Sequence, residues 1–204
     1  MSYRKTKIPV VGSKQGYNDA AKLYKSFHAE LQTYDKGLFQ RFLPRTITGK
    51  AVLDIGAGDS RLYKYFQDKQ VRYVAMDIAE KLLKRSPSRV EKVEADIEET
   101  WPFADGEFGI ELCFFVLLHI TELKHFFSEA YRVLEDGGVL IVLQNYQRRS
   151  YEFELPGTKK YKIEDRSHSH NDIMRSAEKA FFTGEYIPLI EKDTAIGMLY
   201  CFTK

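Results

Sequence analysis

The sequence predicts an α/β protein with a doubly wound, mostly parallel sheet of seven strands that ends in an antiparallel hairpin. Short apolar runs alternate with helical patterns over 51–143, as is typical of parallel sheets with helices on both faces. The run 110–116 is apolar nearly throughout, as expected of a strand covered on both faces. The last two strands, 186–191 and 195–203, are joined by 192–194, which is too short for a crossover and therefore predicts a hairpin.

The order of elements along the chain follows from the spacing of apolar residues. Helical spacing predicts a helix over 17–34, and a second over 35–43 ends near Pro44. The elements predicted after these are strand 51–55, helix 59–68, strand 72–76, helix 79–85, strand 91–95, strand 110–116, helix 121–134, strand 138–143 and helix 170–181. Alternation of polar and apolar residues around Pro156-Gly157 predicts a further β-hairpin before the last helix.

The chain divides into a short basic arm and one domain. Residues 1–16 carry Arg4, Lys5, Lys7 and Lys14 without an acidic residue, which predicts a mobile basic arm. Residues 17–204 form a single domain, because a chain of 204 residues that is 44% hydrophobic suffices for one sizeable core.

A glycine loop follows the first strand of the sheet. The strand runs into Gly56-Ala57-Gly58, where the backbone can approach a ligand closely. The dinucleotide fingerprint needs a third glycine where this chain has Arg61, and the Walker pattern fails because no Gly-Lys-Ser/Thr follows. Two carboxylates, Asp54 and Asp59, flank the loop and suit a ligand that carries amine and hydroxyl donors.

Acidic residues also follow the next two strands. Asp77 lies 21 positions after Gly56 (77 − 56), the spacing at which an acid reaches both ribose hydroxyls. Asp96 repeats the pattern after the third strand, placed to accept from an exocyclic amine. Either acid alone is explained by a turn or a helix start. Acids at three successive strand ends predict a ligand site, because open α/β sheets bind ligands there.

These motifs occur together in one known family. They are Val52–Gly58, Ala75–Ile78, Ala95–Ile97 followed by Trp101–Phe108, Phe114–Ile120, and the helix-to-strand segment Ala130–Leu140. In this order they resemble the class I S-adenosylmethionine-dependent methyltransferases, particularly the small ones that consist of a bare methyltransferase domain. The resemblance covers residues 17–143 and implies a Rossmann-like fold that binds S-adenosyl-L-methionine and releases S-adenosyl-L-homocysteine.

The resemblance also implies which residues bind the cofactor. They are Tyr17, Tyr24, Asp54, Gly56, Ala57, Gly58, Asp77, Ile78, Asp96, Ile97, Phe114 and Phe115. The glycine loop would border the methionine part, Asp77 and Ile78 the ribose and adenine, and Asp96 and Ile97 the adenine amine. The two phenylalanines would lie beside the sulfonium. The tyrosines belong to N-terminal helices, residues 17–45, that cover the cofactor in the family.

The methyl acceptor is expected near residues 144–172, where this class of fold commonly builds its acceptor pocket. Three histidines are candidates for proton transfer, namely His119, His168 and His170. The alternative for each is a structural role at the start of a helix. A catalytic base is optional, because the enzyme mainly aligns the acceptor with an activated methyl group and excludes water.

Composition narrows the class of protein. The formal net charge of +2 predicts no strong attraction to nucleic acid. Cys113 and Cys201 lie in apolar runs, which favours free thiols and a cytoplasmic protein. No apolar run is long enough to span a membrane, and no group of residues has the spacing of metal ligands.

Three functions remain open. The first is methylation of a small molecule, favoured by the single domain and the aromatic insert. The second is methylation of RNA or protein, with the basic arm and Arg148-Arg149 as the contact surface. The third is a non-catalytic subunit that binds adenosylmethionine and acts through a partner. The sequence leaves the oligomeric state open.

Overall fold

The structure is a computed structural model that describes residues 8–24, 34–146, 152–153 and 160–204. Its strands are β1 (Val10–Val11), β2 (Ala51–Ile55), β3 (Arg72–Asp77), β4 (Glu91–Glu94), β5 (Phe108–Phe114), β6 (Leu134–Asn145), β7 (Glu152–Phe153), β8 (Tyr161–Ile163), β9 (Thr183–Glu191) and β10 (Thr194–Thr203). The α-helices in the described ranges are α1 (Ser13–Ala20), α2 (Glu80–Leu83), α3 (Leu123–Val133) and α4 (His170–Lys179). Shorter 3₁₀ helices span Leu38–Phe42, Arg61–Tyr65 and Leu117–His119.

The large sheet confirms the predicted fold class. Its seven strands have the order β4-β3-β2-β5-β6-β10-β9, and the pairs from β4 to β6 are parallel. Strand β10 runs antiparallel to both of its neighbours. Lys192 and Asp193 join β9 to β10 with φ angles of 46° and 63°, the left-handed pair that suits a two-residue hairpin.

The core lies on both faces of this sheet. Every residue of β5 is buried, as the sequence predicts for a strand covered on both sides. One apolar cluster joins the sheet to α3 and α4 and includes Trp101 and Phe126. The other covers the opposite face and includes Phe39 and Phe66. The carboxyl ends of the central strands are thereby held rigidly at one edge of the sheet.

Two predicted helices are wrong in type. Residues 59–68 form only the short 3₁₀ helix Arg61–Tyr65, because Gly58 and Ser60 adopt left-handed conformations with φ of 58° and 59°. A helix cannot propagate through such residues, and the aromatic residues that follow have low helix propensity. Residues 35–43 likewise form the 3₁₀ helix Leu38–Phe42.

The N-terminal segment differs from the predicted arm. From residue 8 onward it is ordered, with β1 pairing in parallel with β8 and α1 beginning at Ser13 rather than at residue 17. Residues 1–7 of the predicted arm and 25–33 of the predicted first helix lie outside the described residues. The apolar pair Val10-Val11 forms β1. The sequence does not indicate this strand, because it has only two residues and lies among basic ones.

A small layer that combines the N-terminal segment with β8 lies beside the large sheet. We call β1, α1 and β8 together the lid. Tyr161 and Ile163 of β8 form a separate apolar cluster with Ala20 of α1, and the Tyr161 hydroxyl donates to the Gly16 carbonyl at 2.9 Å. The predicted hairpin before α4 is present as antiparallel β7 and β8, and its residues 154–159 lie outside the described residues.

None of the helices in the described parts of the chain is both long enough and apolar enough to cross a membrane.

Candidate active site

A cavity of about 480 Å³ lies between the lid and the carboxyl ends of the parallel strands. Strands β2 and β5 are neighbours, and the chain continues from β2 toward one edge of the sheet and from β5 toward the other. The crevice at such a switch point is where open α/β sheets bind ligands. The cavity therefore occupies the position that the strand-end acids predict.

Glycines shape the loop after β2. Gly56 lines the cavity with a φ of 64°, and a Cβ atom there would lie 2.3 Å from Cγ2 of Val116. Only glycine fits this position, because both the backbone angle and the contact exclude a side chain. Gly58 does not line the cavity. Its amide instead donates to Asp77 Oδ2 at 2.8 Å, which ties the loop to the next strand.

Asp77 is held by backbone amides at the end of β3. Besides Gly58, the Ala79 amide donates to its other oxygen at 2.8 Å. Burial raises the pKa of Asp77, and the backbone amides oppose that shift. Each carboxylate oxygen has a second lone pair, so the side chain can still accept from a bound diol.

Asp54 is a second buried acid at the end of β2. Its side chain is only 3% exposed, and Oδ2 accepts from the Tyr73 hydroxyl at 2.6 Å. Burial raises the pKa of Asp54 to about 7, although the Tyr73 hydrogen bond and the positive charge of Arg61 act in the opposite direction. A cation in the cavity would stabilise its ionised form.

An apolar slot continues past β3 toward β4. Ile78, Leu82 and Ile97 line it, with Asp96 at its edge. The Glu98 amide donates to Asp96 Oδ1 at 3.0 Å, which orients the carboxylate. The slot suits a flat ring with a polar edge.

Aromatic rings and a guanidinium stand at the end of β5. The Arg61 guanidinium carbon lies 5.5 Å from the ring centroid of Phe114 and 5.3 Å from that of Phe115. Phe115 has a φ of 64°, an uncommon conformation for an aromatic residue, and its amide donates to the Leu143 carbonyl at 2.8 Å. Strand β5 therefore ends at Phe114, and the rings of both phenylalanines form part of the cavity wall.

A tyrosine and a histidine meet on the lid side of the cavity. The Tyr17 hydroxyl lies 2.7 Å from Nε2 of His119, and His119 Nδ1 lies 3.0 Å from the Glu164 carbonyl oxygen. A carbonyl only accepts, so Nδ1 carries the hydrogen and Nε2 accepts from Tyr17. Burial lowers the pKa of His119, which keeps the imidazole neutral at pH 7.

The other two histidine candidates lie elsewhere. His168 does not line the cavity, and its Nε2 lies 2.8 Å from the Ile120 carbonyl oxygen. His170 begins α4, where its ring stacks on Tyr200 at 5.7 Å between centroids. Both contacts hold the segment around the start of α4 in place. The two histidines thus have the structural role that the sequence leaves open as the alternative to proton transfer.

The structure brings together the residues that the sequence singled out for cofactor binding, all except Gly58 lining the cavity. Besides the proton-transfer candidate His119, the lining residues absent from that set are Gly12, Ser13, Lys14, Gln15, Arg61, Leu62, Leu82, Glu98, Val116, Leu118, Thr121, Asn145, Glu164 and Arg166. Asn145, Glu164 and Arg166 come from the segment expected to hold the acceptor. The N-terminal residues could not be found, because their place depends on pairing with β8, far away in sequence.

The sequence family described as Methyltransferase domain matches residues 53–142, the part of the chain that carries the glycine loop and the strand-end acids. This match is consistent with a class I S-adenosylmethionine-dependent methyltransferase, and the chain is similar to relatives and solved structures that are named as methyltransferases. This confirms the resemblance drawn from the motifs. The match covers the core of the methyltransferase domain and leaves the lid outside it.

Two relatives each match less than half of the chain. An uncharacterized protein of Methanocaldococcus jannaschii is 38% identical over 92 residues, which are 45% of this chain and 39% of that protein. The ubiquinone/menaquinone biosynthesis C-methyltransferase of Dinoroseobacter shibae is 30% identical over 103 residues, 46% of this chain and 41% of that enzyme. The match thus spans about two fifths of each relative's length.

A solved structure extends the likeness in fold to nearly the whole methyltransferase domain. A Thermotoga maritima protein, described as a methyltransferase and possible histamine N-methyltransferase, superposes with a TM-score of 0.72 at 16% identity. The superposition covers 93% of this chain and 98% of that one. At this identity the comparison shows the fold alone.

Proposed function

We propose that this protein is a methyltransferase that binds S-adenosylmethionine in the cavity and transfers its methyl group to a small molecule. The observation that carries the proposal is the pairing of Asp77 with the glycine loop at the switch point of the sheet. Asp77 is 8% exposed, is oriented by two backbone amides and keeps free acceptor capacity toward the cavity.

The residues present fit this cofactor. The cavity volume of about 480 Å³ lies in the range of small-molecule sites, roughly 300–1,000 Å³. From β4 to β6 the lining crosses four strand spacings, roughly 19 Å, which suits an extended adenosyl amino acid. Asp77 would hold the ribose, Ile78 and Ile97 the adenine, Asp96 its amine, and the loop with Asp54 the amino-acid part.

S-adenosylmethionine, when bound, supplies a methyl group on a positively charged sulfur. The chain's own residues align the acceptor and exclude water, a task for the lid and the aromatic pair Phe114-Phe115. Where the acceptor's nucleophile carries a proton, the neutral His119 can take it, directly or through the Tyr17 hydroxyl that donates to Nε2. The imidazolium would keep its hydrogen bond to the Glu164 carbonyl.

Several observations favour a small acceptor. The lid packs over the site, and Asn145, Glu164 and Arg166 line its acceptor end. The Dinoroseobacter relative is named for quinone methylation, and the Thermotoga neighbour for a possible amine acceptor. Of the basic residues that suggested RNA or protein acceptors, Lys14 pairs with Glu94 at 2.8 Å. The others lie outside the described residues and carry no argument about the acceptor.

Thermal unfolding with ligands tests the proposal. A ligand at a hundredfold its dissociation constant adds about 2.7 kcal/mol, which should raise the melting temperature by roughly 5–10 °C. We expect this shift with S-adenosylmethionine and S-adenosylhomocysteine but not with NAD, and its loss in Asp77→Ala. Equal shifts with NAD, or none with either adenosyl ligand, would contradict the proposed function.

A further inference from the structure

The two faces of the large sheet differ in the charge of the layers that cover them. Residues 35–48, 61–70 and 79–90 pack on one face through one of the two large apolar clusters. This layer exposes nine lysine and arginine side chains but only two acids, Asp68 and Glu80. Its outer surface is therefore strongly positive.

The layer on the other face has the opposite balance. Residues 97–107, 117–133 and 170–182 pack there through the second large cluster, and they expose three cations. The same residues expose six acids, namely Glu98, Glu99, Asp105, Glu122, Asp172 and Glu178. The formal net charge of +2 is thus the sum of two faces of opposite sign, and a polyanion would be attracted to the positive one alone.

Most cations of the positive layer lack an acidic partner. Lys84 pairs with Glu80 at 2.6 Å, and the Lys64 ammonium lies 4.9 Å from the Tyr65 ring centroid. Within the ranges that the structure describes, the other seven have no ion pair, and none of them is among the residues that line the cavity. We call these seven the basic face: Lys36, Arg41, Arg45, Lys69, Lys81, Arg85 and Arg89.

The chemistry of the partner follows from what the basic face lacks. The exposed large hydrophobic residues in the described ranges lie in other segments, at Val10, Tyr146, Phe181, Tyr186 and Ile190. A protein partner would need apolar residues at the centre of the interface, and single-stranded nucleic acid would need aromatic rings on which its bases stack. The phosphates of a duplex need only cations.

The extent of the basic face also suits a duplex. The 3₁₀ helix Leu38–Phe42 packs against β6, and α2 packs against β3 and β4. The cations are therefore spread over four strand spacings, roughly 19 Å, which is close to the width of a duplex. An A-form RNA duplex is shorter per base pair than B-form DNA, so it offers more phosphates to a surface that binds through charge alone.

We propose that the basic face binds the phosphate backbone of double-stranded RNA. The inference goes beyond the proposed function and does not depend on it, because the surface lies outside the cavity and the bound RNA is not required to be the methyl acceptor. It also differs from the RNA contact that the sequence suggests, which consists of residues 1–16 with Arg148-Arg149.

The salt dependence of RNA binding tests the inference. Fluorescence anisotropy would measure the affinity of the full chain for a short labelled RNA duplex. We expect about four or five neutralised phosphates, so that the affinity falls roughly 150- to 500-fold between about 50 and 200 mM KCl. No binding at about 50 mM KCl, or a loss of less than about tenfold over this range, would overturn the inference.

A triple variant locates the binding. Arg41→Gln, Lys69→Gln and Lys81→Gln together remove one cation from each segment of the basic face, and the affinity should then fall by less than about tenfold over the same salt range. The melting temperature should change little, because substitutions at exposed positions rarely affect stability. If the triple variant does not fold, Lys69→Gln alone decides: it should lower the logarithmic salt slope by about one, and an unchanged slope would contradict the proposal.

The matched control removes the same charge from the opposite face. Lys124, Arg175 and Lys179 are the exposed cations of the acidic layer. Their joint replacement by Gln should leave the RNA affinity within about threefold of wild type, because charges more than a Debye length away are screened. An equal loss of binding in both triple variants would overturn the role of the basic face.

Competitors distinguish RNA from other polyanions. A DNA duplex of the same sequence should displace the RNA less effectively, and poly-glutamate and phosphatidylserine vesicles should not displace it at equal charge. Any competitor that binds as tightly as the RNA would overturn the assignment. Binding of S-adenosylhomocysteine is measured separately, so its absence would contradict only the proposed function, and the absence of RNA binding only this inference.

Discussion

The two walls of the cavity are built in different ways. The sheet wall consists of strand ends whose acids are fixed by backbone amides or by a buried tyrosine, as with Asp77 and Asp54. The lid wall is assembled from segments about 145 residues apart, joined by the Tyr161–Gly16 hydrogen bond and a small cluster around Ala20. The sheet wall is continuous with the two large apolar clusters, whereas the lid has a small cluster of its own and contacts α2 through a second small one, formed by Ala21, Ala79 and Leu82.

Because of this difference, we expect the sheet wall to hold the ligand and the lid to open and close over it. The preorganised acids of the sheet wall can fix a ligand without reordering, which lowers the cost of binding. The lid adds Tyr17 and is held by two small apolar clusters. Elements with few buried contacts are the ones that open locally. We therefore expect changes in the sheet wall to reduce global stability and changes in the lid to affect only local protection and binding.

The largest expected effect is on the sheet wall, at Gly56→Ala. The new Cβ would lie 2.3 Å from Val116 Cγ2 at a φ of 64°, so strain of about 1–2 kcal/mol adds to overpacking of about 1–3 kcal/mol. Gly49→Ala is the control, because its φ of 81° brings the same strain without any atom within 4 Å. Urea unfolding should show the larger loss for Gly56→Ala; equal losses would mean that the contact with Val116 is unimportant.

The next effect concerns Glu111, an acid of β5 that is 0% exposed and does not line the cavity. Within the described residues neither carboxylate oxygen has a hydrogen-bond partner, and burial raises its pKa well above the usual range, with Lys204 acting in the opposite direction. The folded state therefore favours the protonated acid, and stability is lost as pH rises above the pKa of the unfolded chain.

Glu111→Leu should remove the loss of stability that the buried carboxylate causes at high pH. We expect it to raise the free energy of unfolding by roughly 1–3 kcal/mol at pH 8 and by less at pH 4. Urea unfolding at both values checks this. A variant that is less stable than the wild type at pH 8 would contradict this prediction and show that the Glu111 carboxylate stabilises the folded protein.

The smallest effect on global stability is expected in the lid, at Gly16→Val. The added Cβ would lie 2.4 Å from Ile163 Cγ1, which forces α1 and β8 apart. The amides of Lys162 and Glu164 donate to the carbonyls of Pro9 and Val11 and should exchange hydrogen at least about tenfold faster, while the melting temperature changes little.

The matched control for the lid is Gly12→Val. Gly12 has no atom within 4 Å of its Cβ position, so this variant should leave both amides protected. Unchanged hydrogen exchange in Gly16→Val, or a large drop in its melting temperature, would contradict the claim that the lid opens independently of the sheet wall.

The same contrast explains what the sequence could predict. The sheet wall follows from local patterns, since a strand, its glycine turn and the next strand-end acid lie within 30 residues. The lid does not, because β1 has only two residues and its partner β8 lies more than 150 positions later. Of the three histidines proposed for proton transfer, only His119 faces the cavity, and only the fold could separate it from His168 and His170.

The central claim is that adenosylmethionine binds across the strand ends with its ribose on Asp77. A crystal structure of the protein with S-adenosylhomocysteine tests it most directly. We predict both ribose hydroxyls within about 3.2 Å of the Asp77 carboxylate oxygens and the adenine between Ile78 and Ile97. A ligand bound elsewhere, or one whose ribose makes no contact with Asp77, would contradict the account.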